Sequence, residues 1–418
     1  MGGGLMQLVA YGAQDIYLTG NPQITFFKVV YRRHTNFAME AVEQTMNGSS
    51  AYGGKAVATV SRNGDLVGRM YVEHNVTVPV SAASSTVDTA NNYGHALLRE
   101  VTCEIGGQEI DKQTGRWMQI WSDLTEFNPT AAVAESNVTN AAKHFGEDGG
   151  TLFQRMTGTG KGEDAGTAAA STTRMFVPLQ FWFNRNPGLA LPLIALQYHE
   201  VKVTVQFEEQ AKLIRESGAN ALTDLEFKLW ADYIYLDTDE RRRFAQVSHE
   251  YLIEQVQTQD FSMTTAKKSS HNLTFNHPVK ELVWQVSDAT NNGDLSGGDG
   301  SASTLASGIQ MTAGKVGLKL NGHDRFAERD IKYFTRAQVW QHHTGNPGTV
   351  APDSVAVYSF ALKPEEHQPS GTCNFSRIDN AQLVANITGT NADNLHVYAV
   401  NYNVLRVMSG MGGLAYSN

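Results

Sequence analysis

The 418-residue sequence is poor in cysteine, with only Cys103 and Cys373, and these two stand in different contexts. No Cys-x-x-Cys pair is present, so the sequence indicates neither a zinc site nor a disulfide framework. We therefore interpret both thiols as buried groups of a protein in a reducing compartment.

Positive charge is also scarce. The 33 Lys and Arg residues are outnumbered by 42 Asp and Glu residues, which gives a net charge of −9 spread along the chain. Attraction to a phosphate backbone needs a basic face, so this balance argues against direct nucleic-acid binding as the main task. A net charge well away from zero instead suits a protein that must stay soluble at high concentration before it assembles.

Long hydrophobic runs are absent as well. The longest apolar stretch, residues 189–196, contains Pro192 and is about half as long as the roughly 20 residues of a membrane span. The N-terminus shows no signal-peptide pattern, and Met6 stands where a myristoylation signal needs Ser or Thr. We expect a soluble protein of the cytoplasm.

Catalytic motifs fail at essential positions. Residues 158–161 resemble a phosphate-binding loop, but Gly162 follows Lys161 where such a loop needs a hydroxyl side chain. Two His-Glu pairs, beginning at His199 and His249, start like a zinc-protease helix but lack the second histidine, and both lie in strand patterns. We predict no catalytic, cofactor-binding or metal-binding residues, no cofactor, and no enzyme activity.

Two weaker metal candidates lie in glycine-containing loops. The pair His342-His343 has no carboxylate near it in the sequence. Asp294 and Asp299 lack the oxygen spacing and the closing Glu of a calcium loop. We interpret both as solvated loops.

What the sequence does contain is mostly strand pattern. Residues 200–207 alternate with period two, so Val201, Val203, Val205 and Phe207 are predicted to line one face of a strand. Strands are also predicted over Ile24–Tyr31 and Leu66–Val78. The spacing of apolar residues over Trp117–Phe127 predicts a short amphipathic helix, and all six tryptophans lie in patterns typical of a core. Residues 128–172 and 291–308 are predicted to be long surface loops.

Four features occur twice in the same order, which indicates a duplicated β-rich unit. They are an arginine cluster leading to Glu-Gln, a strand running into a Gly turn, an aromatic strand closed by Pro, and a final strand. In the first copy these features lie, in that order, at residues 32–44, 105–108, 181–187 and 230–233. In the second copy they lie at residues 241–255, 320–323, 358–364 and 398–402. A chain of this length also exceeds the roughly 250–300 residues at which one core stops growing. We expect an N-terminal arm over 1–24, a first domain over 25–238 and a second over 239–418, each an antiparallel β-sandwich.

Several segments resemble the major capsid proteins of large icosahedral (nucleocytoplasmic) DNA viruses, most closely those of the algal, phycodnavirus type. These segments span nearly the whole chain, at residues 11–37, 105–111, 187–200, 233–246, 249–255, 368–379 and 401–416. The resemblance implies an all-β double jelly roll, two tandem eight-stranded antiparallel barrels with short helices and long loops. It further implies a homotrimer with a nearly hexagonal footprint that tiles the icosahedral shell of the virion.

The same resemblance suggests partners and a location. We expect contacts with neighbouring capsomers and with minor capsid and vertex proteins, only an indirect relation to an inner viral membrane, and assembly in the host cytoplasm. The alternatives left open are a minor capsid or vertex protein of the same fold, a lectin-like module on a virion surface, and a cupin-type enzyme. We also expect Arg32, Arg33 and Arg241–Arg243 to pair with carboxylates or carbonyls at domain edges, and the arm to contact partners on the inner side of the shell.

Overall fold

The computed structural model describes residues 3–78, 87–137, 143–161, 171–216, 223–263, 268–287, 308–347, 351–388 and 394–416. The chain divides into two compact units, Met1–Asn36 and Phe37–Asn418.

The N-terminal unit contains two short helices, α1 (Gly3–Val9) and α2 (Ile16–Thr19). The strand predicted over Ile24–Tyr31 is wrong, because residues 24–36, all of them described, form neither helix nor strand. Phe26 and Phe27 are 90% and 97% exposed. β-Branched and aromatic residues favour a strand only where neighbouring strands pack against them, and residues 3–36 of this unit contain no strand.

The first half of the larger unit is built from two facing sheets. Its strands are β1 (Phe37–Gln44), β2 (Met46–Gly48), β3 (Lys55–Thr59), β4 (Leu66–Val78), β5 (Val87–Thr89), β6 (Leu98–Ile105), β7 (Gln108–Thr114), β8 (Ala134–Asn137), β9 (Lys143–Gly149), β10 (Ser171–Pro178), β11 (Leu191–Pro192), β12 (Val201–Phe207), β13 (Ile214–Glu216) and β14 (Thr223–Leu236). One sheet has the order β1-β14-β4-β10, with β11 beside β4, and the other has the order β2-β3-β12-β6-β7. The pairs β5-β13 and β8-β9 form small ribbons.

Short helices connect these strands: α3 (Tyr93–Ala96), α4 (Gly115–Thr125), α5 (Leu152–Thr157), α6 (Trp182–Arg185), a 3-10 turn at Pro187–Leu189, and α7 (Gln210–Leu213). A further helix, α8 (Thr238–Gln246), joins the two halves.

The second half repeats the same plan. Its strands are β15 (His249–Ser262), β16 (Ser269–Leu273), β17 (Pro278–Ser287), β18 (Ala313–Leu320), β19 (His323–Asp330), β20 (Val355–Ser359), β21 (Cys373–Asn374), β22 (Ala381–Thr388), β23 (Asn394–Met408) and β24 (Met411–Leu414). The sheets have the orders β15-β23-β17-β20 and β16-β22-β18-β19, with β21 and β24 added to the first. A π-helical turn at Tyr333–Ala337 continues into α9 (Gln338–His342), and a 3-10 turn lies at Phe375–Arg377.

The two strand orders match element by element. The order β1-β14-β4-β10 corresponds to β15-β23-β17-β20, and β3-β12-β6-β7 corresponds to β16-β22-β18-β19. In each half the first strand therefore pairs with the last long strand, β14 or β23, as in a jelly roll, and the duplication predicted from the sequence is confirmed. The Gly turns fall at the same point of both copies, where Gly107 and Gly322 adopt φ values of +83° and +80°.

Each half has its own core. In β12 the predicted alternation is confirmed, since Val201, Val203, Val205 and Phe207 are all buried. These side chains belong to the cluster between the first pair of sheets, and a separate cluster around Trp284 and Phe334 fills the second.

Three local predictions were wrong. Residues 128–172 carry the β8-β9 ribbon and α5, whose Thr151 and Gln154 form a capping box, rather than a plain loop. The aromatic run at 181–183 enters helix α6, because three residues are too few to distinguish a strand period from a helical one. Trp340 is 83% exposed, since its helix turns it away from the core that holds Phe334. Most of the predicted loop at 291–308 lies outside the described residues.

Candidate functional site at the junction of the two jelly rolls

Helix α4 of the first jelly roll packs on the second. The helix begins at Gly115 and is capped by Thr114, whose hydroxyl accepts a hydrogen bond from the Trp117 amide at 3.2 Å. Its apolar stripe lies in one buried cluster with side chains of β15, β17, β20 and β23. The Trp117 and Tyr398 ring centroids are 5.2 Å apart. The amphipathic helix is thus confirmed, and the structure adds the surface that buries it.

Polar contacts join strand β7 to strand β15 beside this helix. The Gln255 side-chain amide donates to the Ile110 carbonyl, and the Val256 amide donates to Asp111 Oδ1 at 3.1 Å. Burial raises the pKa of Asp111 to about 6, although the hydrogen bonds from Val256 and Gln113 oppose this rise. The carboxylate therefore links the two domains through backbone hydrogen bonds while bearing a desolvation penalty.

A buried group of charges lies next to these contacts. Glu254 forms ion pairs with Arg185 Nη2 at 2.9 Å and Lys280 Nζ at 2.7 Å. Arg185 also lies over the Trp121 ring, 4.6 Å from its centroid. Burial favours the neutral form of Glu254. The charges of Arg185 and Lys280 and a hydrogen bond to His367 outweigh this effect of burial and lower the pKa of Glu254 to about 2. Since Arg185 comes from the first jelly roll and Glu254 and Lys280 from the second, the cluster ties the two together.

His343 lies in a second buried cluster. Its Nε2 is 2.9 Å from Glu281 Oε2, and its Nδ1 is 3.0 Å from Glu365 Oε1. Burial lowers the pKa of His343, but the Glu281 charge and the hydrogen bonds to both carboxylates raise it to about 9. The imidazolium donates from both nitrogens, which fixes the segment after α9 against the sheet and the loop carrying Glu365.

Sequence reasoning missed this cluster. The two carboxylates are 62 and 22 residues away from His343, so no local pattern reveals them. His342 points elsewhere, with its Nδ1 3.2 Å from the Leu362 carbonyl. Across the described ranges, no group of three His, Cys, Asp or Glu side chains is arranged to hold a metal ion.

The other motif residues have structural roles. Gly158 ends α5 at a φ of +64°, and Lys161 pairs with Glu135 at 2.8 Å. The residues that resemble a phosphate-binding loop therefore form the C-terminal end of a helix. His199 lies 2.9 Å from the Gly412 carbonyl, and His249 lies 2.8 Å from that of Phe244. Residues 294 and 299 lie outside the described residues.

One arrangement resembles a catalytic triad although the sequence did not indicate it. Ser287 Oγ is 2.8 Å from His396 Nε2, and His396 Nδ1 is 2.6 Å from Asp260 Oδ1. The three residues lie on the adjacent strands β17, β23 and β15, where cross-strand neighbours meet. Ser287 is completely buried, so its hydroxyl is closed to a substrate and the triad acts as a polar bridge across the sheet.

A cleft of about 870 Å³ opens beside the junction. Its walls combine Tyr71 and Phe176 of the first jelly roll's outer sheet face with Trp121, Arg185 and Glu254 of the junction.

The prediction for the arginine clusters is confirmed for Arg241, whose Nε pairs with Asp65 Oδ1 at 2.9 Å.

Two family models match this chain, one after the other. The model "Major capsid protein N-terminus" matches residues 25–237, and "Large eukaryotic DNA virus major capsid protein" matches residues 240–413. The chain belongs to this capsid protein family. Its relatives include the major capsid proteins of Pyramimonas orientalis virus, at 50% identity, and Paramecium bursaria Chlorella virus 1, at 42%, each aligned over 100% of both chains.

Solved structures agree with this assignment. PBCV-1 VP54, fitted into a reconstruction of the virophage Sputnik, is 38% identical to this capsid protein with a TM-score of 0.75, covering 94% of this chain and 100% of that one. The Faustovirus major capsid protein shares the fold at 15% identity, with a TM-score of 0.68, covering 95% of this chain and 94% of that one. The fold is therefore the predicted double jelly roll.

The family fixes the broad role of this capsid protein. Its members are structural components of virus capsids rather than enzymes, and a capsid component must associate with other copies of itself. No helix in the described part of the chain is long and apolar enough to cross a membrane.

Proposed function

We propose that this capsid protein forms homotrimers with a pseudo-hexagonal outline, which tile the icosahedral shell of a large DNA virus. The observation that carries the proposal is the matched strand order of the two jelly rolls. Three chains of two similar domains offer six similar sides, so one protein can pack in a hexagonal array. We further propose the domain limits 25–238 and 239–418, supported by family matches that meet at residues 237 and 240.

The trimer is tested by the mass of the purified chain in solution. Light scattering at micromolar concentration should give three times the chain mass of 45.7 kDa. Negative-stain images of the same sample should show particles with a hexagonal outline. A monomer under these conditions would contradict the proposal.

We propose that residues 1–24 are an arm that contacts neighbouring trimers or minor capsid proteins on the inner side of the shell. Large apolar side chains are exposed throughout this segment, among them Leu8 (78%), Tyr17 (90%) and Leu18 (85%). Such surface is typical of a segment that a partner covers. The remaining partners are vertex proteins and, indirectly, an inner membrane, with assembly in the host cytoplasm and no direct contact with nucleic acid.

Deletion of residues 1–24 tests the arm. We expect unchanged thermal unfolding and unchanged trimer mass, but loss of shell assembly when the variant is expressed with its viral partners. A second deletion, of residues 1–36, removes the whole N-terminal unit and should behave in the same way. If either shortened chain fails to fold, the segment is part of the first domain and the proposal is wrong.

A further inference from the structure

The contact made by α4 inside the chain shows how one jelly roll of this protein holds the next. The third, seventh and tenth residues after the end of β7 are Trp117, Trp121 and Leu124. All three are buried in the cluster on the outer face of the β15-β23-β17-β20 sheet. The stripe thus binds the face of a neighbouring jelly roll.

The second jelly roll has a stripe at the same three positions, but only its last residue is left uncovered. The third, seventh and tenth residues after the end of β19 are Tyr333, Ala337 and Trp340. Tyr333 packs against the core of its own jelly roll, Ala337 is half-buried, and Trp340 is 83% exposed. The opposite side of this helical segment is anchored, since Phe334 and Val339 are buried. An anchored helix that exposes a tryptophan is suited to binding another surface.

The first jelly roll has the matching face. In the β1-β14-β4-β10 sheet, Trp230 of β14 lies opposite Tyr71 of β4. In the β15-β23-β17-β20 sheet, Tyr398 of β23 lies opposite Val283 of β17 in the same way. Tyr398 and Val283 are buried under α4, whereas Trp230 and Tyr71 are only partly covered.

This face carries a preformed aromatic patch flanked by charged side chains. Glu73 accepts a hydrogen bond from Trp230 Nε1 at 2.6 Å and pairs with Arg174, while Arg69 and Asp232 line the same cleft. The Tyr71 ring stacks on Trp230 with centroids 6.4 Å apart and meets Phe176 edge-on at 6.0 Å. On the neighbouring edge strand β1, Met39 is 56% exposed. Tyr71 and Phe176 also line the cleft of about 870 Å³.

We propose that the helical segment at 333–342 of one copy docks on the outer face of the β1-β14-β4-β10 sheet of the next copy, with Trp340 against Tyr71, Phe176 and Trp230. This inference rests on the proposed trimer and identifies its contact surfaces. Each chain then offers one stripe and one face, so the contact is head-to-tail. Because it repeats the contact within each chain, six jelly rolls from three chains close a ring.

The substitution Trp340→Ala tests the stripe. It removes a side chain that is exposed in the single chain, so thermal unfolding of the monomer should be unchanged. The dissociation constant of each contact between chains should rise by about 30-fold or more. Tyr198→Ala is the matched control, because Tyr198 is 76% exposed and lies outside both surfaces. Mass is measured by light scattering over a dilution series.

Cross-linking tests the pairing itself. In a Cys373→Ser background, where the remaining Cys103 is buried, the double variant Trp340→Cys with Tyr71→Cys is treated with a short bis-maleimide. We expect covalent species of two and three chains on a denaturing gel, and none from either single variant.

The outcomes separate the two proposals. A wild-type protein that is monomeric contradicts the trimer. A wild-type trimer that keeps its stability in Trp340→Ala and yields no cross-linked chains leaves the trimer standing and overturns this contact. Cross-links from Trp340→Cys alone would indicate a symmetric contact between two stripes and would also overturn it.

Discussion

Replacement of His343 by glutamine should destabilise the second jelly roll in a pH-dependent way. Glutamine keeps a polar side chain of similar reach but loses the positive charge between Glu281 and Glu365. Glu281 is completely buried and His343 Nε2 lies 2.9 Å from its carboxylate, so the variant leaves a buried charge without its partner. Breaking a buried pair in this way typically costs about 3–5 kcal/mol.

The pKa of His343 gives a second measure of the same effect. In the unfolded chain the pKa is near the ordinary 6.5, and in the folded protein the two carboxylates, opposing the effect of burial, raise it to about 9. This difference is equivalent to about 3 kcal/mol. Because the folded pKa is the higher one, the stabilisation is fully present below pH 6.5 and is lost as the pH rises towards 9.

Urea unfolding at one fixed protein concentration, at pH 6.5 and at pH 9.5, measures both effects. We expect the free energy of unfolding of the wild type to exceed that of His343→Gln by about 3 kcal/mol at pH 6.5, and by less than about 1 kcal/mol at pH 9.5. The double variant Glu281→Gln with His343→Gln removes both charges and should recover part of the loss. An equal gap at the two pH values would refute a charged His343.

The remaining predictions concern the junction. Trp117→Ala should lower the free energy of unfolding by about 3–5 kcal/mol in urea titrations, because it leaves a cavity at a buried site between the domains. Leu362→Ala, at a position 76% exposed, should change the free energy of unfolding by less than about 0.5 kcal/mol. Asp111→Asn should raise the midpoint of thermal unfolding at pH 8 relative to the wild type and not at pH 4. The folded pKa of Asp111 is raised to about 6 by burial, so ionisation opposes folding above that pH. A lower midpoint at pH 8 would mean that its hydrogen bond to Val256 outweighs the desolvation.

Local patterns in the sequence were sufficient for much of the fold. The alternation in β12, the Gly turns at 106–107 and 321–322, and the apolar stripe of α4 depend on residues within a few positions of one another, so each was predictable. The repeat of four such features then indicated two antiparallel β-sandwiches, and the resemblance to capsid proteins implied that they are jelly rolls. The same reasoning failed at Ile24–Tyr31, because a strand also needs a partner strand.

Other features depend on tertiary structure alone. Glu281 and Glu365 meet His343 only because the sheet and the following loop bring distant residues together, and their distance in the chain hides the cluster from any motif. The sequence placed both Trp121 and Trp340 in patterns typical of a core, yet one is buried and the other is 83% exposed. The pattern identifies an apolar stripe, while only the packing of the domains decides whether the chain itself covers that stripe or leaves it to another copy.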